Sequence, residues 1–414
     1  VSSAPYRQLL RTPGAAAFFL TATAGRIGIA MTSLGIVWLV HGRTDSYATA
    51  GLVSGGFAVA EALAGPQLAR LIDHFGQTRV LPPALLAHAG AVTALLALVA
   101  GGSPAWLMTA GGALAGATIP QLGALSSARW VALLGEKRPA ELPSAFALES
   151  LSNALGYLAG PTLVSALGAA GHPALGTVLA AALVVAGGGA FAAQRGTAPP
   201  PVRSVASGSA VGPGSSLLRP AFAVLVGLNL AIGVYFGAVQ VSVTSFATEH
   251  HAAATAAPIF AVSSGSGLLA GWLYGLRRWR TPPRTQLAVA TAVLALGSLL
   301  LLAAGSPLAL GSVVVLTGAA VPPVLVLLSV LAESAVHRAV LTQGFTWLNS
   351  ASAAGAAGAA AVSGRAVDTF GAQGGFAIGA AATTTMAALA VAALRVRSRD
   401  RSRGPAASGG STTR

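Results

Sequence analysis

The chain has 414 residues, 54% hydrophobic and 8% charged, with a mean hydropathy of +0.73 and a net charge of +14. So little charge, against about 25% in a soluble domain, excludes a globule coated in polar side chains; lipid must cover much of the surface. The lack of cysteine excludes disulfides, thiolate metal sites and thiol nucleophiles, and arginines scattered over short gaps, with no aromatic-interleaved patch, exclude a nucleic-acid partner.

A helix that crosses a bilayer needs about 20 apolar residues. Twelve such runs are read, at 14–40, 48–69, 80–101, 104–128, 144–168 and 173–194, then at 219–247, 255–276, 285–304, 308–332, 341–366 and 373–395. Ahead of the first, Arg7 and Arg11 resemble a basic leader and Ala22-Thr23-Ala24 a cleavage site. The apolar run continues to Val40, far past a signal core, so no cleavage is expected. Val1 reads as a GTG start translated literally, and the single lysine, Lys137, beside many Arg, Ala and Gly points to a high-GC genome.

Arg26 lies inside the first run, and Glu61 lies in the second, about 12 Å from its end at 1.5 Å per residue. Ionisable groups at such depth are functional hypotheses by default. Their depths allow pairing, and two readings stand: an ion pair that locks the N-terminal half, or a proton carrier, Glu61, whose affinity a moving Arg26 tunes. His88 in the third run is read as hydrogen-bonded packing. Glu149 in the fifth is a further proton or gating candidate, with a bond to Arg129 or to a helix end as the other option.

Residues 196–216 break the pattern with Pro199-Pro200-Pro201, Ser207-Gly208-Ser209 and Gly212-Pro213-Gly214, a linker composition. The expected organisation is therefore an N-terminal six-helix bundle over 1–195, a cytoplasmic linker over 196–218, a C-terminal bundle over 219–395 and a disordered basic tail over 396–414. In the second bundle, adjacent His250 and His251 beside Glu249 would point apart on a helix, so no metal site is expected. Glu333 and Arg338 read as a solvated pair. Candidate cavity residues are Asn153 in the fifth run, Asn229, Tyr235 and Gln240 in the seventh, and Trp347 and Asn349 in the eleventh; each has interhelical hydrogen bonding as its alternative. The remaining walls are Ala, Gly, Leu and Val, which suit an apolar or amphipathic compound.

Charge sets the orientation. Arg7, Arg11, Arg70, Arg79, Arg129, Lys137, Arg138, Arg195, Arg203, Arg219, Arg277, Arg278, Arg280, Arg284 and Arg338 fall in alternate gaps, and the intervening gaps hold Arg43 and Arg365. Basic residues mark the cytoplasmic side, so both termini are expected there. The halves also echo each other: Gly65-Pro66-Gln67-Leu68-Ala69 with Gly271-Trp272-Leu273-Tyr274-Gly275, Pro120 with Pro322, and Leu148-Glu149-Ser150 with Leu348-Asn349-Ser350. Parallel repeats of this kind place a substrate path at their interface.

Two motifs carry a family resemblance. Ala69-Arg70-Leu71-Ile72-Asp73-His74-Phe75-Gly76-Gln77-Thr78-Arg79-Val80-Leu81, between the second and third runs, resembles the loop motif of the major facilitator superfamily, matching at Leu71, Asp73, Gly76 and Leu81. Ala69 replaces a glycine, His74 an arginine and Gln77-Thr78 a basic pair, with Arg79 as partial compensation. A carboxylate there can face a helix N-terminus or an arginine and latch one conformation, which makes Asp73, Gly76 and Arg79 the candidate latch. Gly156-Tyr157-Leu158-Ala159-Gly160-Pro161 resembles the superfamily's antiporter motif at Gly156, Gly160 and Pro161, without its usual following glycine pair. A bare G-x-x-x-G is also a packing motif. With Pro120 to Trp130, Ala147 to Ser150 and Phe345 to Leu348, the chain resembles actinobacterial members presumed to export drugs or metabolites.

The resemblance implies an all-α polytopic membrane protein of twelve helices in two pseudo-symmetric bundles, in a bacterial inner membrane. The implied function is proton-coupled antiport, driven by the proton gradient without a cofactor, exporting a drug-like compound; a proton symporter or facilitator importing a small nutrient such as a sugar is the alternative. The expected partners are the lipid bilayer, protons and a small amphipathic or apolar substrate, and the chain is expected to be a monomer. No G-x-x-x-x-G-K-[ST], H-E-x-x-H or G-x-S-x-G occurs, so neither an ATPase nor a hydrolase is expected.

Overall fold

The structure, a computed structural model, describes residues 4–201, 213–250, 255–277 and 279–402. Among these there is no β-strand. Apolar runs placed in lipid must satisfy every backbone polar group internally, which leaves the helix as the available form. In chain order the helices are α1 (Ala4–Leu10), α2 (Ala15–Thr44), α3 (Tyr47–Phe75), α4 (Gln77–Ala100), α5 (Ala105–Thr118), α6 (Leu122–Leu134), α7 (Leu142–Ala169) and α8 (Pro173–Ala193). After the linker come α9 (Pro220–Glu249), α10 (Ala256–Leu276), α11 (Pro283–Leu301), α12 (Pro307–Ala335), α13 (Leu341–Phe370) and α14 (Ala372–Ser402). Nine of the described helices are long and apolar enough to cross a membrane. Helices α7 and α13, of 28 and 30 residues, are as long but richer in small polar residues.

Four differences from the sequence reading stand out. The run at 104–128 is two helices, α5 and α6, because a proline disfavours helical backbone in the residue before it; Ile119, ahead of Pro120, is extended (φ −70°, ψ 124°). Its counterpart Pro322 stays inside the continuous α12. Asp73 is not in a loop: α3 runs on to Phe75, and the whole connection to α4 is Gly76. Gly76 has φ +96°, a backbone that residues with a β-carbon resist. Helix α1 was not expected at all. At the other end, α14 continues to Ser402, past the expected limit at 395; beyond Gly379 neither proline nor glycine occurs before Gly404-Pro405. Ser207, Gly208, Ser209 and Gly212 of the linker and residues 403–414 of the tail lie outside the described residues.

Small residues set how closely the helices approach. In α9, a β-carbon on Gly233 or Gly237 would overlap the main-chain carbonyls of Ser352 or Ala356 in α13, and Gly355 of α13 abuts the Leu230 carbonyl in return. Gly187 of α8 similarly meets the Gly25 nitrogen of α2, at 2.6 Å from an added β-carbon. Backbone cannot yield as a flexible side chain can. Gly233→Val is therefore expected to lower stability by about 1–3 kcal/mol, read as a depressed melting temperature of the purified protein. The same change at Gly227, which has open space around it, serves as the control.

The apolar core reveals how the halves meet. One buried cluster runs through both halves at the end that carries the linker: Leu9, Phe18, Trp130 and Phe146 from the first half join Phe222, Leu328, Val336 and Phe345 from the second. At the far end the core divides. Ile36, Val40, Val53, Phe57 and Leu95 form one cluster in the first half, and Val243, Phe246, Leu301 and Phe376 form another in the second. The halves share a core at the linker end and separate toward the other.

Candidate functional site: the seam between the halves

Glycine surroundings trace the same opening along single helices. On α3, a β-carbon added to Gly65 would lie 3.4 Å from the Thr346 methyl of α13, whereas one added to Gly51 or Gly55, farther from the linker end, would meet nothing within 4 Å. On α10, Gly275 abuts Tyr6 and Ala147, a β-carbon added to Gly271 would lie 3.7 Å from Leu151, and Gly265 faces open space. Helix pairs α3–α13 and α10–α7 thus touch near the linker and splay apart beyond it.

Polar bonds close the linker end. Asp73 Oδ2 accepts the backbone N–H of Gln343 at 2.8 Å, in the first turn of α13, where helix N–H groups have no intrahelical partner. Ser144 of α7 donates to the Gly275 carbonyl at 2.6 Å. Tyr6 donates to the Trp272 carbonyl at 2.9 Å, so α1 ties the N-terminus to the second half. Burial raises the Tyr6 phenol above its ordinary pKa, which keeps it a donor. Arg338 pairs with Glu136 across the seam, and no contact within 4.0 Å joins it to Glu333, its expected partner, two residues before the end of α12. Of the proposed latch, Asp73 makes the bond and Gly76 makes the turn; Arg79 is exposed and takes no part in it.

At the first half's centre, Arg26 pairs with Glu149, not with Glu61. Nη1 of Arg26 also donates to the Glu149 carbonyl at 3.2 Å. The other carboxylate oxygen of Glu149 accepts from Ser126 at 2.6 Å and from Trp130 Nε1 at 2.7 Å. Trp130 is held edge-on against Phe18, 4.8 Å between ring centres. The glycine motif explains the choice of partner: a β-carbon added to Gly156 would lie 3.5 Å from the Arg26 carbonyl oxygen and one added to Gly160 3.0 Å from the Ala30 methyl, and Thr23 bonds Ser152 at 2.8 Å. This close approach of α2 to α7 delivers the Arg26 guanidinium to Glu149. In this structure Gly156 and Gly160 act as packing residues, and Pro161 lies inside an unbroken helix.

Glu61 is left with a neutral partner. Its Oε1 accepts from Gln121 Nε2 at 2.8 Å, and among the described residues no cationic nitrogen lies within 4.0 Å of it. Gln121 is available because it stands in the break between α5 and α6. Tyr157 of α7 lies deep in the bundle, in range of the charges of both Glu61 and Arg26, yet is 68% exposed. Asn153, one turn away on the same side of the helix, is exposed too.

Other expected residues fall elsewhere. Arg129 does not reach Glu149: it is fully buried, donates to Gln77 at 2.8 Å, to the Gln194 carbonyl at 3.0 Å and to Thr197 at 2.9 Å, and lies 3.7 Å over the Phe191 ring. Gln77, read in the sequence as a lost basic residue, is therefore a junction that also donates to the Leu125 carbonyl at 3.3 Å. His88 is buried against the Ala115 carbonyl at 3.1 Å. Asn229 spends its amide on Leu225 of its own helix, and Tyr235 is packed inside the second half, so neither faces the opening. Gln240, Trp347 and Asn349 are exposed. Glu249 caps α14 by accepting from Ala372 N–H at 2.8 Å; His251 lies outside the described residues. The residues that sequence reading missed are Tyr6, Ser126, Trp130, Gln121 and Tyr157. An aromatic inside a Gly/Ala motif was a usable signal for the last.

The sequence model described as "Major Facilitator Superfamily" matches residues 15–357. The chain belongs to that superfamily and is a multi-pass membrane transporter. No curated protein matches it. Among solved structures it is similar to the human organic anion transporter MFSD10 at 17% identity, with a TM-score of 0.69 over 93% of this chain and 99% of that one. It is similar to a bacterial homologue of the iron transporter ferroportin in an outward-facing state at 13% identity, with a TM-score of 0.70 over 91% and 98%. The transporter FucP in its outward conformation matches at 15% identity, with a TM-score of 0.68 over 90% and 97%.

Proposed function

We propose that the chain is a proton-coupled antiporter that exports an apolar or amphipathic small compound by alternating access. The observation that carries this reading is the core shared by both halves at the linker end and divided at the far end, with Glu61 inside the opening. If the linker lies in the cytoplasm, as the arginine asymmetry argues, the form described is outward-facing. Both termini are then cytoplasmic, twelve helices cross a bacterial inner membrane, and the chain works as a monomer without a cofactor. Protonation of Glu61 from outside neutralises it and favours rocking of the halves about the seam. Glu149, already saturated by Arg26, Ser126 and Trp130, serves as a fixed support and not as the carrier.

The test uses liposomes containing the purified protein, an acid lumen and external doxorubicin as an amphipathic probe. Gradient-driven uptake that a protonophore abolishes is the expected result, with Glu61→Gln removing the gradient-driven part. Unchanged uptake in Glu61→Gln rejects the carrier assignment. Hexose movement in the same direction as protons, with no doxorubicin transport, would favour import.

A further inference from the structure

We propose that the opening at Glu61 selects organic cations: a positively charged head group seated on the Glu61 carboxylate, with its apolar body against Tyr157. This deepens the transport reading by naming a substrate class, but the binding claim stands apart from any coupling.

Charge balance in the opening favours a cation. Two ionised groups approach the opening from the first half besides Glu61: Arg26 of α2 and Glu149 of α7. They cancel each other in a buried pair, with side-chain exposures of 10% and 7%. Glu61 has Gln121 as its hydrogen-bond donor, and an amide offers no charge. From α13, the side chains nearest this part of α3 are Thr346 and Ser350, both neutral, beside Gly65 one turn below. From α4, His88 is turned to α5 through the Ala115 carbonyl. A carboxylate held partly out of water without a cation is costly to keep ionised, so the opening favours whatever neutralises it. A proton does so, and so does an organic cation. An organic anion would add like charge, and a neutral polyol would leave the carboxylate uncompensated.

Tyr157 supplies the second determinant. It is an exposed aromatic ring in a wall of Gly, Ala and Leu, within electrostatic range of Glu61. Aromatic faces attract cations when water is partly excluded. A carboxylate and an aromatic ring across a small-residue cavity together fit a charged head with an apolar skirt.

Equilibrium binding to the purified full chain, without membrane or gradient, tests this. Tetraphenylphosphonium and tetraphenylborate have nearly the same shape and opposite charge. The expected result is binding of the phosphonium, weakening as pH falls and protons compete for Glu61, and no binding of the borate. Glu61→Gln should weaken phosphonium binding roughly 10- to 100-fold, and Glu61→Asp should retain part of it. Tyr157→Ala should weaken it several-fold and Tyr157→Phe little. An unaltered melting temperature in Glu61→Gln separates site loss from misfolding. Equal binding of both probes, binding of neither the phosphonium nor benzyltrimethylammonium, or unchanged affinity in a folded Glu61→Gln overturns the proposal. Cation binding with no gradient-driven transport would sink the coupling reading and leave this one standing.

Discussion

Replacing Arg26 or Glu149 singly by glutamine is expected to destabilise the protein by about 3–5 kcal/mol, whereas the double replacement should lose much less than the sum. Each single change leaves the other partner as an uncompensated charge in the interior of the first half. Glutamine at 149 retains an oxygen for Ser126 and Trp130, so those donors are not orphaned and the charge is isolated as the variable. The double variant has neither charge, and replacing a whole buried pair is often nearly neutral. The measurement is a four-corner cycle of unfolding free energies from dodecyl sulfate titration of the purified proteins, in which neighbouring residues show non-additivity of about 0.5–3 kcal/mol. Single variants within about 0.5 kcal/mol of the parent, or strictly additive losses, would falsify the structural role of the pair. The consequence for function is direct: with Arg26 committed to Glu149, Glu61 is the ionisable group in the opening that is free to exchange its partner.

The sequence exposed the elements whose cause is local. Apolar run length located the helices, Pro199 to Pro201 began the linker, and Asp73 with Gly76 marked the connection that closes the linker end. Arg26, Glu61 and Glu149 were visible as charges out of place. Which of them pair was not visible, because helix depth fixes one coordinate and leaves rotation about each axis open. Here rotation is set by Gly156 and Gly160 against Ala30, a long-range packing fact. The break at Pro120 was likewise beyond the local rule, since Pro66, Pro161 and Pro322 sit inside continuous helices. Substitutions in the loop motif misled for a related reason: Gln77 looked like lost charge because its partner Arg129 is far along the chain, on α6. Tyr6 and α1 were hidden because seven residues are too short for a periodicity signal, and their partner is the main chain of Gly271 and Trp272.

Asp73→Ala is expected to shift the molecule toward the form open at the linker end, by roughly 10- to 150-fold in population ratio. That range follows from the about 1.5–3 kcal/mol assigned to a hydrogen bond with a charged partner. The bond to Gln343 N–H joins a carboxylate to the positive end of α13, so dipole and hydrogen bond act together. Because α3 and α13 belong to different halves, rocking of the halves would break it, and a contact made in one state alone is what biases an equilibrium. The chain has no cysteine, so paired spin labels can be placed without background. Labels at Leu52 and Val262 report the far end, and labels at Leu71 and Leu218 the linker end; all four side chains are exposed. In Asp73→Ala the first distance should shorten while the second lengthens. The Arg338–Glu136 pair provides the contrast, because it crosses the same seam but is 52% and 79% exposed. Exposed pairs contribute about 0–1 kcal/mol, so Arg338→Ala should leave both distance distributions nearly unchanged. If Arg338→Ala moves them as far as Asp73→Ala does, the buried carboxylate is not the dominant latch, and closure is instead shared among the surface charges at the linker end.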